Sequence, residues 1–166
     1  AKSAIEGAIW DIYAQLTNQT LAAAIGGTRD KIEIGISIGL QPTSEQLFQV
    51  IEKRLNEGYK RIKIKIKPGK DIELVRAIRE RFGTIPLMAD ANSAYTMEDL
   101  PLLKELDKYE LMMIEQPLAY DDLVEHAMLQ KTLATPICLD ESITSLADVK
   151  RAVMLGSCKV VNLKIA

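Results

Sequence analysis

Residues 61–69 read RIKIKIKPG, and this short stretch sets the fold of the whole chain. Three isoleucines alternate in it with three lysines: Ile62, Lys63, Ile64, Lys65, Ile66 and Lys67. A period of two predicts a β-strand with one apolar face and one cationic face, which Pro68 and Gly69 end. Taken alone, such a lysine face is typical of a solvated edge strand. The rest of the chain favours another interpretation.

The bulk composition is that of one globular domain. The 166 residues are 48% hydrophobic and 27% charged, with a net charge of −2. This balance gives no reason to expect a nucleic acid or a membrane surface as a partner, and no apolar run reaches the ~20 residues of a membrane helix. The two cysteines form no CxxC motif and there is one histidine, which argues against a zinc site. So few cysteines predict a cytoplasmic protein.

Strand and helix patterns alternate along the chain. The predicted strands are 32–40, 61–67, 85–92, 111–117, 136–142 and 159–166. The predicted helices are 2–24, 43–57, 70–82, 96–109, 120–134 and 145–156. Such alternation predicts an α/β fold with a parallel sheet and right-handed crossovers.

One polar residue stands near the carboxyl end of each of the last five strands, at a nearly constant interval. These residues are Lys65, Asp90, Glu115, Asp140 and Lys164, with gaps of 25, 25, 25 and 24. An even βα unit with polar strand ends is typical of a (β/α) TIM-type barrel, whose chemistry lies on its carboxyl-terminal rim. We count six consecutive βα units of an eight-stranded barrel, so residues 1–166 are predicted to form a partial catalytic barrel domain.

Three of the strand-end residues are carboxylates that a barrel would bring together. Asp90, Glu115 and Asp140 cannot all stay ionised side by side unless a cation neutralises them. Oxygen ligands on rigid strands favour Mg²⁺. Each carboxylate taken alone is equally well explained as a helix cap or a solvated strand end. Three at equal spacing favour the metal site.

The lysines on either side suggest proton transfer. Lys65 and Lys164 would flank a substrate carboxylate bound to the metal. A lysine that lies beside other lysines and a metal cation has its charged form disfavoured, so it can serve as a base near neutral pH. Either lysine could take the proton α to the carboxylate, and the metal would stabilise the resulting enediolate.

Five short motifs carry a resemblance to a known family. They are KIK at 63–65, DAN at 90–92, IEQP at 114–117, LDES at 139–142 and NLK at 162–164. Together they resemble the enolase superfamily, and within it the muconate-lactonising subgroup. The likeness is greatest to o-succinylbenzoate synthases that also act as N-acylamino acid racemases. A lysine base with Mg²⁺ and an enediolate is a documented pattern of this superfamily.

The resemblance implies a role for each candidate residue. Lys65 resembles the base on one face of the substrate, and Lys63 the partner that contacts the substrate carboxylate. The three carboxylates resemble the Mg²⁺ ligands. Lys164 resembles the base on the opposite face, which in the synthase reaction holds the enediolate through a cation–π-like contact. Two further residues resemble supports beside the ligands: Asn92 and Glu141.

The implied activity leaves several alternatives open. The first is dehydration by an o-succinylbenzoate synthase in menaquinone biosynthesis, with N-acylamino acid racemisation as a second activity. Dipeptide epimerisation and muconate-type cycloisomerisation would use the same residues. A non-enzyme alternative is an inactive barrel fragment or scaffold, because the family's N-terminal capping domain and its last barrel strands are not present. The expected partner is a small carboxylate substrate, and a homo-oligomer is left open.

Overall fold

Residues 2–164 are described by the computed structural model. The strands are β1 Gly35–Ile38, β2 Arg61–Lys65, β3 Leu87–Asp90, β4 Met113–Glu115, β5 Ile137–Leu139 and β6 Val160–Val161. The α-helices are α1 Lys2–Leu16, α2 Leu21–Ala24, α3 Ser44–Asn56, α4 Asp71–Phe82, α5 Leu100–Leu106, α6 Val124–Thr132 and α7 Leu146–Leu155. Short 3₁₀ turns flank α5 at Met97–Asp99 and Asp107–Tyr109.

The six strands form one parallel sheet in chain order, from β1 to β6. This order confirms the predicted alternation of strands and crossover helices. The register sets Lys65 opposite Asp90, and Asp90 opposite Glu115, so the polar strand ends lie at one edge of the sheet. All six strands belong to a compact unit of residues 34–162, and a second unit comprises residues 2–33 with 163–164.

The two faces of β2 behave as its alternation predicts. Ile62, Ile64 and Ile66 are between 0% and 5% exposed and belong to the apolar core that the helices cover. Because successive side chains of a strand point to opposite faces, Lys63 and Lys65 lie on the other face. The isoleucines therefore fix the direction in which the lysines point.

Helix ends follow ordinary capping chemistry. The side chain of Thr43 accepts a hydrogen bond from the backbone N–H of Gln46 at the start of α3. Ser145 does the same for Asp148 at the start of α7. Gly156 ends α7 in the left-handed region, with φ of 72°, where glycine has no Cβ to clash.

The observed elements are shorter than the predicted ones at several ends. β2 ends at Lys65, two residues before the predicted end at position 67. The predicted helix 2–24 is divided into α1 and α2, where Asn18 has a φ of 52°. The last predicted strand shrinks to two residues, and its positions 165 and 166 lie outside the described residues.

No helix within residues 2–164 is both long enough and apolar enough to cross a lipid bilayer.

Candidate active site

Three carboxylates stand at the carboxyl ends of neighbouring strands. Asp90 ends β3, Glu115 ends β4, and Asp140 directly follows β5. They are 2%, 2% and 6% exposed, so all three are withdrawn from bulk water. Buried carboxylates need compensating partners, because the loss of hydration disfavours the charged form.

Two lysines of β2 supply part of that compensation. Lys63 Nζ lies 2.9 Å from both carboxylate oxygens of Glu115 and 3.2 Å from Asp90 Oδ2. Lys65 Nζ donates to the same Asp90 oxygen at 2.7 Å. The lysine side chains are only 22% and 32% exposed. Four of the six residues proposed as bases, base partner and metal ligands therefore form one hydrogen-bonded cluster.

The charges of this cluster shift two pKa values. Burial raises the pKa of Glu115, and the nearby charges of Asp90 and Asp140 raise it further, against the opposing effect of Lys63. Burial lowers the pKa of Lys63, but its hydrogen bonds and charge interactions with Glu115 and Asp90 outweigh this effect, so the net pKa is raised. The nearest charged neighbours of Lys63 are thus carboxylates.

The role of the three carboxylates as ligands of a single cation stays a prediction. Within residues 2–164, no three histidine, cysteine or acidic side chains are disposed to hold a metal ion. In this arrangement the Lys63 ammonium contacts both Asp90 and Glu115.

The donors nevertheless suit a hard divalent cation. The three crowded carboxylates provide oxygen ligands of the kind that Mg²⁺ prefers. Burial and the charges of Asp90 and Asp140 raise the pKa of Glu115, so added positive charge would stabilise its charged form. Glu141 Oε2 is also buried without a hydrogen-bond partner among the described residues. Asp90, Glu115 and Asp140 would hold the ion, and Glu141 lies next in the chain to the third of them.

Asn92 and Glu141 extend the cluster toward the loops, as predicted for supporting residues. Asn92 Oδ1 accepts a hydrogen bond from Lys65 Nζ, and Asn92 Nδ2 donates to Glu141 Oε1 at 2.9 Å. Its backbone N–H also donates to Asp90 Oδ1 at 3.2 Å. Asn92 thereby connects the proposed base to the loop after β5. A φ of 42° gives it the turned backbone that these contacts require.

Lys164 lies three residues beyond the end of β6, and its side chain is exposed. It belongs to the unit formed by residues 2–33 and 163–164, whereas the other candidate residues all lie in the unit of residues 34–162. Its role as the second base stays a prediction.

Two polar residues of the site were missed at the level of sequence. Asn162 Nδ2 donates to Glu115 Oε1 at 3.4 Å. Its place two residues before Lys164 was an available signal, because alternate residues of a strand share a face. Gln116 is fully buried, and it makes hydrogen bonds to the loop that follows β5. No pattern in the sequence separates it from a solvated residue at a strand end.

A cavity of about 420 Å³ lies along the inner face of the sheet. Its lining includes Lys63, Glu115, Cys138 and Asn162. A second cavity of about 620 Å³ lies near the ends of β1 and β2 and beside α3 and α4, and among the candidate residues it is lined only by Lys65. The smaller cavity therefore contacts two candidate residues, Lys63 and Glu115, and the larger one contacts only Lys65.

Known proteins are similar to this chain in both sequence and fold. Residues 46–166 match the family described as "Enolase C-terminal domain-like". The chain is 60% identical over 164 residues to an o-succinylbenzoate synthase of Bacillus subtilis (strain 168), covering 99% of this chain and 44% of that protein. It is 49% identical over 166 residues to an N-succinylamino acid racemase of Thermus thermophilus, covering 100% and 45%. The chain thus spans less than half the length of these curated relatives.

Solved structures agree with the sequence matches. An enolase-superfamily member from Listeria innocua has a TM-score of 0.88 at 52% identity, over 96% of this chain and 43% of that one. A racemase from Streptomyces coelicolor, solved with bound magnesium, has a TM-score of 0.86 at 30% identity, over 94% and 46%. These likenesses confirm the predicted α/β fold, with six consecutive units that match part of the superfamily's barrel. By its strand order, its strand-end residues and its relatives, the chain belongs to the enolase superfamily.

Proposed function

We propose that the protein containing this chain removes the proton α to a carboxylate, with Mg²⁺ as its cofactor, as an o-succinylbenzoate synthase. The observation that carries the proposal is the cluster of two lysine ammonium groups, Lys63 and Lys65, against the buried carboxylates Asp90 and Glu115. Similarity to curated synthases at 58% and 60% identity supports this reaction. The magnesium bound to a structural relative supports the cofactor.

In this proposal Lys65 is the base. Its ammonium is held by Asp90 and Asn92, so its Nζ has a defined position at the edge of the sheet. Lys63 lies beside Glu115, and it would contact the substrate carboxylate. Asp90, Glu115 and Asp140 would hold the magnesium ion. When bound, that ion supplies positive charge to the substrate oxygens on which negative charge builds.

Racemisation of N-acylamino acids is the second candidate activity, favoured by the 49% identity to an N-succinylamino acid racemase. It needs a proton donor on the face opposite to Lys65, and Lys164 is the proposed donor. The same two-base arrangement would apply to other α-proton reactions. We propose a cytoplasmic location, in keeping with two free cysteines. The substrate is a small carboxylate, and a homo-oligomer stays a prediction.

The proposal is tested by exchange of the substrate α-proton in D₂O, measured by NMR in the full-length protein with Mg²⁺ present. Lys65→Ala removes the proton acceptor, so dehydration, racemisation and exchange of an α-proton that faces Lys65 are all expected to fall by about 10²–10⁴-fold. Lys164→Ala is expected to stop racemisation, because the second face loses its proton donor. The matched control is Lys67→Ala, since Lys67 is an exposed lysine that comes two residues after Lys65 and has no proposed role.

Three outcomes would contradict the proposal. The first is full exchange in Lys65→Ala of the α-proton that faces Lys65, and the second is a loss in Lys67→Ala as large as in Lys65→Ala. The third is a wild-type protein that neither binds Mg²⁺ nor exchanges the α-proton of any carboxylate in the family's substrate range, which would favour the scaffold alternative.

A further inference from the structure

Gln116 occupies an unusual position between the candidate ligand Glu115 and Pro117. Its side chain is 0% exposed, although glutamine usually lies at the surface. Its φ is 40°, in the left-handed region that few residues other than glycine adopt. Such a backbone persists only where the surrounding contacts stabilise it.

The turned backbone of Gln116 changes how the sheet ends. Its N–H still makes a regular ladder hydrogen bond to the carbonyl of Cys138, at 2.8 Å. Its own carbonyl, however, accepts from the N–H of Ser93, at 2.8 Å, in the loop that follows β3. In a regular parallel ladder that carbonyl would instead accept from the next strand, at Asp140.

The side-chain oxygen of Gln116 replaces its backbone carbonyl as the hydrogen-bond acceptor for Asp140. Oε1 accepts from the N–H of Asp140 at 3.0 Å and from the N–H of Ser142 at 3.1 Å. At the other end of the amide, Nε2 donates to Ser142 Oγ at 2.6 Å. Both ends of the amide are therefore bonded to the loop after β5, in the protein interior where such bonds are strong.

We propose that Gln116 is a positioning residue that sets Asp140 against Glu115 for cation binding. Asp140 lies beyond the last residue of β5, so regular strand pairing does not fix its backbone. The side-chain amide of Gln116, which is the residue after Glu115, holds the Asp140 backbone instead. The inference rests on the proposed function for the identity of the cation, and on the hydrogen bonds alone for the placement of the Asp140 backbone.

The chain contains a matched control at the opposite end of β5. Gln130 is also buried, at 7% exposure. Its Oε1 accepts from the N–H of Ile137 at 2.7 Å, and its Nε2 donates to the carbonyls of Leu133 and Thr135. Gln130 thus holds the start of β5 in the way that Gln116 holds its end, but far from the carboxylate cluster along the strand.

The experiment compares Gln116→Asn with Gln130→Asn in the full-length protein. Asparagine tolerates the left-handed backbone, but its amide is shorter by one carbon, about 1.5 Å, and cannot reach Asp140. Magnesium affinity is measured by titration calorimetry with Mg²⁺ alone. Gln116→Asn is expected to weaken binding by about 10–100-fold, the range found when residues supporting metal ligands are changed. Gln130→Asn is expected to change it less than about threefold, although it also removes buried hydrogen bonds.

A second measurement tests the placement without any metal. Hydrogen exchange followed by NMR is expected to show slow exchange of the Asp140 and Ser142 amides in the wild type. Exchange at both should become faster in Gln116→Asn and stay slow in Gln130→Asn. Thermal melting of each variant establishes that it is folded, and the wild-type exchange decides the placement even where Gln116→Asn does not fold.

The outcomes separate the two proposals. Fast exchange of the Asp140 amide in the wild type, or equal magnesium affinities of the two variants, overturns the role of Gln116. A wild type that binds no magnesium rejects the proposed cofactor and with it the cation part of this inference. The exchange data then still decide whether Gln116 places the Asp140 backbone.

Discussion

At the scale of single residues, Lys63 compensates part of the negative charge of two buried carboxylates. Its ammonium contacts Asp90 and Glu115 together, so one positive charge serves two negative ones. A divalent cation would offer the same two residues a larger charge at the same place. The lysine and the cation would therefore compete for the carboxylates, and Lys63 would give up its contacts with them when a metal ion is held there.

This competition predicts the behaviour of Lys63→Met, which removes the ammonium and keeps a long apolar side chain. Without a metal ion, Glu115 loses its ammonium partner and Asp90 keeps only Lys65. The free energy of unfolding is therefore expected to fall by about 2–4 kcal/mol. Added Mg²⁺ should then raise the melting temperature by more than it does in the wild type, because binding no longer displaces a lysine.

Melting curves of both proteins, with chelator and with Mg²⁺, check this prediction. Lys67→Met is the control, because it removes one positive charge from the same strand region at a residue that is exposed. A magnesium-induced rise that is equal in Lys63→Met and the wild type would show that Lys63 does not compete with the ion.

At the scale of elements, the loop after β3 is anchored to the start of α4 by a buried pair. Tyr95 Oη donates to Asp71 Oδ2, and the two residues are 2% and 3% exposed. Asp71 Oδ1 also accepts from the N–H of Ile72 in the first turn of α4. The same loop carries Asn92, which contacts Lys65. The pair therefore stabilises the loop from which Asn92 reaches the candidate site.

We expect Tyr95→Phe to lower the free energy of unfolding by about 1–3 kcal/mol, because Asp71 keeps a buried carboxylate oxygen without its donor. Chemical denaturation measures the change. Tyr120→Phe is the control, since Tyr120 is 65% exposed. Equal stability of Tyr95→Phe and Tyr120→Phe would mean that water replaces the lost hydroxyl.

Elements were predictable from the sequence where the pattern is local, and less so where the backbone turns. The alternation in β2 and the spacing from Lys65 to Asp140 predicted the strand order and brought the strand-end residues to one edge. The break between α1 and α2 was missed, because the left-handed backbone of Asn18 leaves no mark on apolar periodicity. The role of Gln116 depends on the direction of its own carbonyl and on a hydrogen bond to Asp140, 24 positions away. A local sequence pattern does not predict either feature.

At the scale of the whole molecule, the only histidine links stability to pH. His126 is fully buried in α6. Its Nε2 accepts from the N–H of Leu118 at 3.2 Å, and its Nδ1 lies 2.6 Å from the carbonyl of Asp122. These contacts suit a neutral ring that carries its proton on Nδ1. Burial lowers the pKa of His126 from 6.5, despite opposing contacts with Asp122.

The sign of the effect follows from the lowered pKa. The unfolded chain takes up a proton as the pH falls below about 6.5, while the folded protein does so only at lower pH. The stabilisation by His126 is therefore complete above about pH 6.5 and is lost as the pH falls toward the folded pKa. Its slope is at most about 1.4 kcal/mol per pH unit.

Glu115 acts in the opposite direction, because its pKa is raised on folding. A variant is needed to isolate the histidine. We expect the difference in unfolding free energy between wild type and His126→Gln to shrink as the pH is lowered from about 8 to about 5. Denaturation at a series of pH values measures it. A difference that does not change with pH would show that His126 keeps an ordinary pKa.

The chain-order arrangement of the six strands also bears on how the protein is made. Each strand pairs with the one that precedes it, so the paired residues lie between 22 and 26 positions apart at every step of the sheet. The entropy lost in closing each loop therefore stays nearly constant as the sheet grows, since it depends on loop length and not on the length of chain already folded. On the ribosome, each emerging strand finds its neighbour already synthesised, and assembly can proceed from the amino end without waiting for a distant partner.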